Sequence, residues 1–344
     1  MRLSPLAHAL ALALALGVTI GGCYDPSPPE GAPCTEDRNC PSEQRCYTGA
    51  CLRQPRGDAS PPDVVIGDDA TVPLCTPGPV GAFSSPVVIP ALSDPTTVDG
   101  TPSLTGDRLE VYLKSSRSGG AGASDIWRSI RATTASAWSI PVVVTELNSA
   151  AEDASPEVTA DGLTIWFSSQ RSGGPGGRDI WVATRPDRAS AWSAPTPVVE
   201  LNTPMFDDGL SVLPSLLVAY LHSTRGGTSA FYRTSRPTTA SAWSAPILVA
   251  GQDLASSAEN AWVSPDECEI YFASNRVGGG TNYDLYVATR SAPTDPIGAA
   301  VELTELSSAS WDDDIWLSSD RRYIMFNSNR VGGPGQFDLY EATR

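Results

Sequence analysis

The chain has 344 residues, 41% of them hydrophobic and 18% charged, enough apolar material for a large core, which excludes wholesale disorder. The formal charge is −16, and Lys114 is the one lysine among 23 basic residues, so a polyanion meets a repulsive surface and nucleic acid is excluded as a partner. Of the two histidines, His8 lies in an N-terminal apolar stretch; His222 alone is left for an imidazole-dependent triad or metal site, and such chemistry is excluded on that ground.

After Arg2, an apolar run from Leu6 to Ile20 falls short of the ~20 residues that a membrane-spanning helix needs. It reads as a signal peptide over residues 1–22. The end of this segment, Ile20-Gly21-Gly22-Cys23, resembles a bacterial lipobox, with an aliphatic residue three positions before the cysteine and a small residue directly before it. That resemblance implies lipid on Cys23, a tether over residues 23–33, and contact with the membrane through the lipid anchor only. The expected location is the bacterial cell envelope, at the outer membrane. Ordinary cleavage, with Cys23 free or disulfide-bonded, is the alternative.

Seven cysteines minus Cys23 leaves an even set in a compartment where disulfides persist. Cys34, Cys40, Cys46 and Cys51 lack the two-to-four-residue ligand spacing of metal sites and read as two disulfides of unknown pairing within a knuckle at 34–52. The run is similar to the cysteine-rich knuckle of Dickkopf-type N-terminal modules. Residues 53–79, rich in Pro and Asp, form a semi-extended linker. Cys75 and Cys268 are expected to bridge.

From residue 80 to 344 the sequence repeats. Asp107, Asp161, Ser215, Asp266 and Asp320 fall in register at intervals of 54, 54, 51 and 54 residues. Each unit carries a strand such as Leu163–Ser169 and then a Gly-rich turn led by arginine: Arg117, Arg171, Arg225, Arg276 and Arg330. A third strand follows, such as Asp179–Arg185, and a fourth opens with Trp-Ser-x-Pro at Trp138, Trp192 and Trp243. Four short strands per unit and a period near 50 predict an all-β, five-bladed β-propeller. The chain stops after the third strand of unit five, and Phe83-Ser84-Ser85-Pro86-Val87-Val88 reads as the missing outer strand that closes the ring.

At Ser264-Pro265-Asp266, Asp161-Gly162, the Phe-x-Ser-x-Arg region and Asp-Ile-Trp or Asp-Leu-Tyr, the chain resembles the TolB-type, WD40-like propeller repeats of bacterial envelope proteins. The resemblance covers all five units and implies a periplasmic-type propeller. TolB itself has six blades and an N-terminal α/β domain, so its lipoprotein partner does not carry over.

Three sets of side chains are candidates for chemistry. Arg117 with Asp125, Arg171 with Asp179, Arg276 with Asp284, and Arg330 with Asp338 are spaced to pin the Gly-rich turn as bidentate pairs. Asp99, Asp153, Asp207 and Asp312, with Glu259 displaced by one, open the innermost strands. They form either turn caps and partners of the rim arginines or an acidic ring that attracts Ca²⁺ or a basic partner. No other cofactor is expected. Trp262 and Trp316 stand where the other units have Ser103, Glu157 and Ser211, and Trp311 precedes Asp312-Asp313-Asp314. They fill space between blades or, with Glu259 and these aspartates, form an acidic aromatic ligand rim. The resulting reading is a non-catalytic binding or scaffold module for an envelope protein or cell-wall glycan. The alternative is a five-bladed glycosidase with carboxylates at the central channel.

Overall fold

A computed structural model describes residues 44–47, 50–53, 75, 80–251, 258–276 and 282–344. The chain divides into two units, Met1–Asp69 and Ala70–Arg344. In the first, Gln44–Tyr47 and Ala50–Arg53 pair as an antiparallel hairpin with Cys46 opposite Cys51 in register. Cys23, Cys34 and Cys40 lie outside the described residues, as do the side chains of Cys46, Cys51 and Glu259.

The second unit is a five-bladed β-propeller of five four-stranded antiparallel sheets. Blade one is Asp99–Leu104, Glu110–Ser115, Asp125–Ile130 and Val142–Val143. Blade two is Asp153–Val158, Thr164–Ser169, Asp179–Thr184 and Thr196–Pro197. Blade three is Asp207–Val212, Val218–Ser223, Ala230–Ser235 and Ile247–Leu248. Blade four is Ala258–Val263, Glu269–Ser274, Asp284–Thr289 and Val301–Glu302. Blade five has Asp312–Leu317, Tyr323–Ser328 and Asp338–Thr343, and takes its outer strand, Val87–Val88, from the start of the unit.

The closing strand repeats the chemistry of the others. Ser84 N–H donates to Thr343 C=O at 2.7 Å, as Ser139 does to Ile130 and Ser193 to Thr184. The ring of Phe83 lies under the Arg344 guanidinium at 4.1 Å, where Trp138, Trp192 and Trp243 lie under Arg131, Arg185 and Arg236. These tryptophans do not open the fourth strand, which starts four residues later and is only two residues long. Each is drawn out of the sheet to stack on the arginine that directly follows its third strand.

Five buried apolar clusters fill the wedges, one between each pair of neighbouring blades. The second strands explain why. In Tyr323–Ser328, Tyr323 and Met325 pack toward blade one while Ile324 and Phe326 pack toward blade four. A strand buried on both faces reads as a continuous apolar run and needs a neighbour on each side, which only a closed ring supplies. Charged pegs reinforce the wedges: Arg185 of blade two donates to Glu110 of blade one at 2.8 Å, and Arg290 of blade four to the Tyr220 hydroxyl of blade three at 2.6 Å. Cys75 is bonded to Cys268, in the turn between the first two strands of blade four.

Candidate functional site

Each inner strand carries a β-bulge at the same place, between Gly100 and Ser103, Ala154 and Glu157, Asp208 and Ser211, Glu259 and Trp262, and Asp313 and Trp316. The extra residue adopts a left-handed backbone at Thr101 (φ 45°), Ser155 (φ 48°), Gly209 (φ 55°) and Asp314 (φ 54°). For a β-branched threonine that conformation is strained. It is held by a hydrogen bond across the ring junction, from Thr101 N–H to Asp314 Oδ2 at 3.0 Å. The bulges re-aim the following side chains into the channel.

Above the bulges, Arg117, Arg171 and Arg330 pair with the inner aspartates and not with Asp125, Asp179 and Asp338 eight residues on. Arg117 reaches inward to Asp99 (2.6 Å), Arg171 to Asp153 (2.6 Å), Arg225 to Asp207 (2.6 Å) and Arg330 to Asp312 (2.5 Å), and each of these aspartates is fully buried. The same guanidiniums bond a serine hydroxyl and a backbone carbonyl, as Arg117 does with Ser115 and Leu92. Asp125, Asp179 and Asp338 instead accept backbone N–H groups of their own turns, from Gly122, Gly176 and Gly335. The reason is steric: those carboxyls lie against the turn backbone, so close that a Cβ at Gly174 would stand 2.0 Å from Asp179 Oδ2. In blade four, Arg276 stacks on Phe272 (4.7 Å) and Tyr286 (5.1 Å). Ala258 takes the register position of the inner aspartates there. Burial, with repulsion from Glu302 and Asp312, pushes Asp284 up to about 6.

The expected ligand rim is divided in two. Asp312 is consumed by Arg330 and the Ser308 N–H. Asp313 accepts the Asp314 N–H at 2.7 Å. Trp311 stacks on Tyr283 at 4.8 Å and meets Phe337 edge-on at 6.1 Å, joining blades four and five at the upper rim. Trp262 and Trp316 lie about 15 Å further along the inner strands by strand rise, past the bulge, where they line the channel itself. The predicted rim is therefore two groups: Trp311, whose indole N–H donates to Asp313 Oδ2 at 3.4 Å, with Asp312 at the upper rim, and Trp262, Trp316 and Asp314, which line one cavity inside the channel.

A different constellation does converge. Glu157, Ser211, Trp262 and Trp316 form a waist between a small upper cavity and a lower one of about 280 Å³ that opens on the face opposite the arginine turns. Ser103 completes this layer by donating to Glu157 Oε2 at 3.2 Å, while Val212 N–H donates to Oε1 at 3.0 Å. Glu157 thus straddles three blades with no basic partner among the described residues. Burial pushes its carboxyl up to about 7, against the pull of those two hydrogen bonds. The sequence marks this residue only as the acid at a position that other units fill with serine or tryptophan. Neither its burial nor its cavity is visible there. Among the described residues, no three acid, histidine or cysteine side chains converge as a metal cage.

The sequence matches no known protein family, and it matches no curated protein. Solved structures share the fold. The α-L-arabinofuranosidase of Podospora anserina, in complex with cellotriose, is 13% identical with a TM-score of 0.52, over 76% of this chain and 96% of that one. TolB from Acinetobacter baumannii is 16% identical with a TM-score of 0.44 over 72% of this chain, which spans 55% of TolB's length. The catalytic domain of an α-L-arabinofuranosidase from Coprinopsis cinerea is 13% identical with a TM-score of 0.47, over 76% and 96%. At 13% identity the likeness to the Podospora anserina enzyme is one of fold alone.

Proposed function

We propose that the chain is a non-catalytic binding module of the bacterial envelope, exported and held at the outer membrane by lipid on Cys23. It presents the channel mouth around Trp262 and Trp316 to an envelope protein or cell-wall polymer. One observation carries this reading: the carboxylates that recur around the ring are spent on arginines, in the pairs Asp99–Arg117, Asp153–Arg171, Asp207–Arg225 and Asp312–Arg330. Glycoside hydrolysis needs an acid and a base free to exchange protons across one sugar. The disulfide between Cys75 and Cys268 supports export, since such bonds persist in oxidising compartments.

A carbohydrate-active enzyme is the second reading, and Glu157 favours it: a carboxyl that stays protonated near neutrality beside a cavity suits a general acid. Two measurements decide. Cys23→Ser should move the protein from the membrane fraction to the soluble one. The full chain, offered purified sacculi, envelope extracts and a panel of chromogenic glycosides, should show saturable capture without turnover. Turnover that Glu157→Gln abolishes establishes the enzyme instead.

A further inference from the structure

The waist of the channel pairs two indole rings with an acid that has no counter-charge among the described residues. Glu157 projects from blade two, and Trp262 and Trp316 line the same lower cavity from blades four and five. Each indole is fixed by an edge-on aromatic contact behind it, Trp262 with Tyr271 at 5.7 Å and Trp316 with Tyr323 at 6.3 Å. Both oxygens of the carboxyl are oriented by donors from blades one and three.

We propose that this cavity binds a small organic cation, an alkylammonium or guanidinium head, held between the Trp262 and Trp316 rings with Glu157 as its counter-ion. The inference rests on reading the channel mouth as a binding site and names the chemistry of what enters it. Aromatic faces attract cations through their quadrupoles, most strongly where water is excluded. The cavity of about 280 Å³ has room for such a head group. The molecule's formal charge of −16 concentrates cations around it and repels anions.

The elements packed around Glu157 leave its charge uncompensated. Blade one presents Ser103, its own second strand Trp166 opposite it in register, and blade three Ser211 and Val212. Of the other acids on the channel, Asp314 lies above the waist and Asp161 at the mouth. Of the arginines at that face, Arg185 is engaged by Glu110 and Arg188 by Asp107. An empty channel therefore favours the protonated acid, as its raised pKa shows. An entering cation supplies the missing charge, the carboxyl ionises, and one proton is released to solvent.

The test is isothermal titration of the full chain, kept in detergent, with choline, putrescine and arginine methyl ester between pH 5.5 and pH 8. The neutral choline isostere 3,3-dimethylbutanol serves as the control. At least one cation should bind roughly thirtyfold more tightly at pH 8 than at pH 5.5, the ratio of ionised fractions for an acid of pKa about 7. Its heat should vary with buffer ionisation enthalpy by the equivalent of nearly one proton at pH 5.5 and of only about a tenth of a proton at pH 8. Glu157→Gln, shown folded by its melting curve, should lose both the pH dependence and at least tenfold in affinity at pH 8. Trp262→Phe, which keeps an aromatic face, should retain the pH dependence. Absence of binding by all three cations at millimolar concentration overturns the inference, as does pH-independent binding. Binding of dimethylbutanol as tight as that of choline overturns it too, while leaving the mouth a binding site.

Discussion

Glu157 is a half-buried acid and the inner aspartates are fully buried ones, and their partners separate them further. Asp153 has Arg171 at 2.6 Å and a hydrogen bond from Ser169. Removing its charge leaves a guanidinium largely buried without its partner, so Asp153→Asn should cost about 3–5 kcal/mol in denaturant unfolding. Glu157 has no such partner, and its linkage runs the other way. The native state keeps the Glu157 proton from the ordinary value of 4.5 up to about pH 7, an interval in which the unfolded chain has released it. This residue's contribution to stability therefore falls as pH rises through that interval, by up to ~3 kcal/mol, and is constant above it. Glu157→Gln cannot ionise, so its melting temperature relative to the unsubstituted chain should climb from pH 4.5 to pH 8. Two parallel melting-temperature curves would contradict the burial assigned to this carboxyl.

At the level of the element, the Gly-rich turn works as a fixed bracket between strands two and three. An arginine at its start clamps the inner strand, and an aspartate at its end caps the turn backbone, as Arg171 and Asp179 do in blade two. Glycine is required where that carboxyl folds back against the main chain. Gly174→Ala should cost about 1–3 kcal/mol, seen as a lower urea midpoint at unchanged m. Gly177, three residues on, has nothing within 4 Å of an added Cβ. Gly177→Ala should leave the midpoint in place, and equal effects at the two glycines would refute the steric account. The bulge in the inner strand is the other recurring device, and it decides which side chains see the channel. Trp311, before the bulge, becomes blade-to-blade packing, whereas Trp316, after it, reaches the waist.

For the whole molecule, closure is the central problem, because every wedge of core requires a blade on each side. The seam in blade five is held by Val87–Val88 pairing with Tyr340 and Glu341, by Phe83 under Arg344, and by Asp314 bonding Thr101. Deleting residues 80–90 would bare the edge of Asp338–Thr343 and open one wedge, and size-exclusion chromatography should then show aggregation in place of a single folded peak. The Cys75–Cys268 bond joins the segment ahead of the closing strand to blade four across 193 residues of sequence. Replacing both cysteines by serine should lower stability by about 2–4 kcal/mol and abolish the drop in melting temperature that a reductant causes in the unsubstituted chain.

The sequence by itself determined the propeller, the number of blades and the strand that closes the ring. All three follow from a repeat of fixed period whose apolar runs demand burial on two faces, and from one strand left over at one end and one missing at the other. It also showed that the position shared by Ser103, Glu157, Ser211, Trp262 and Trp316 differs from blade to blade, which is the layer where the structure finds the waist. Partner choice was decided only in three dimensions. Spacing along the chain favoured Asp125 for Arg117, yet the guanidinium turns to Asp99, eighteen residues back, because antiparallel pairing sets Asp99 opposite Ser115 at the base of the arginine turn. Tertiary structure likewise separated Trp311 from Trp262 and Trp316, since a bulge adds one residue and shifts every side chain after it. The pKa of Glu157 came from the same source: whether a carboxyl is charged depends on how much water and which countercharges surround it, and those are set by three blades distant in sequence.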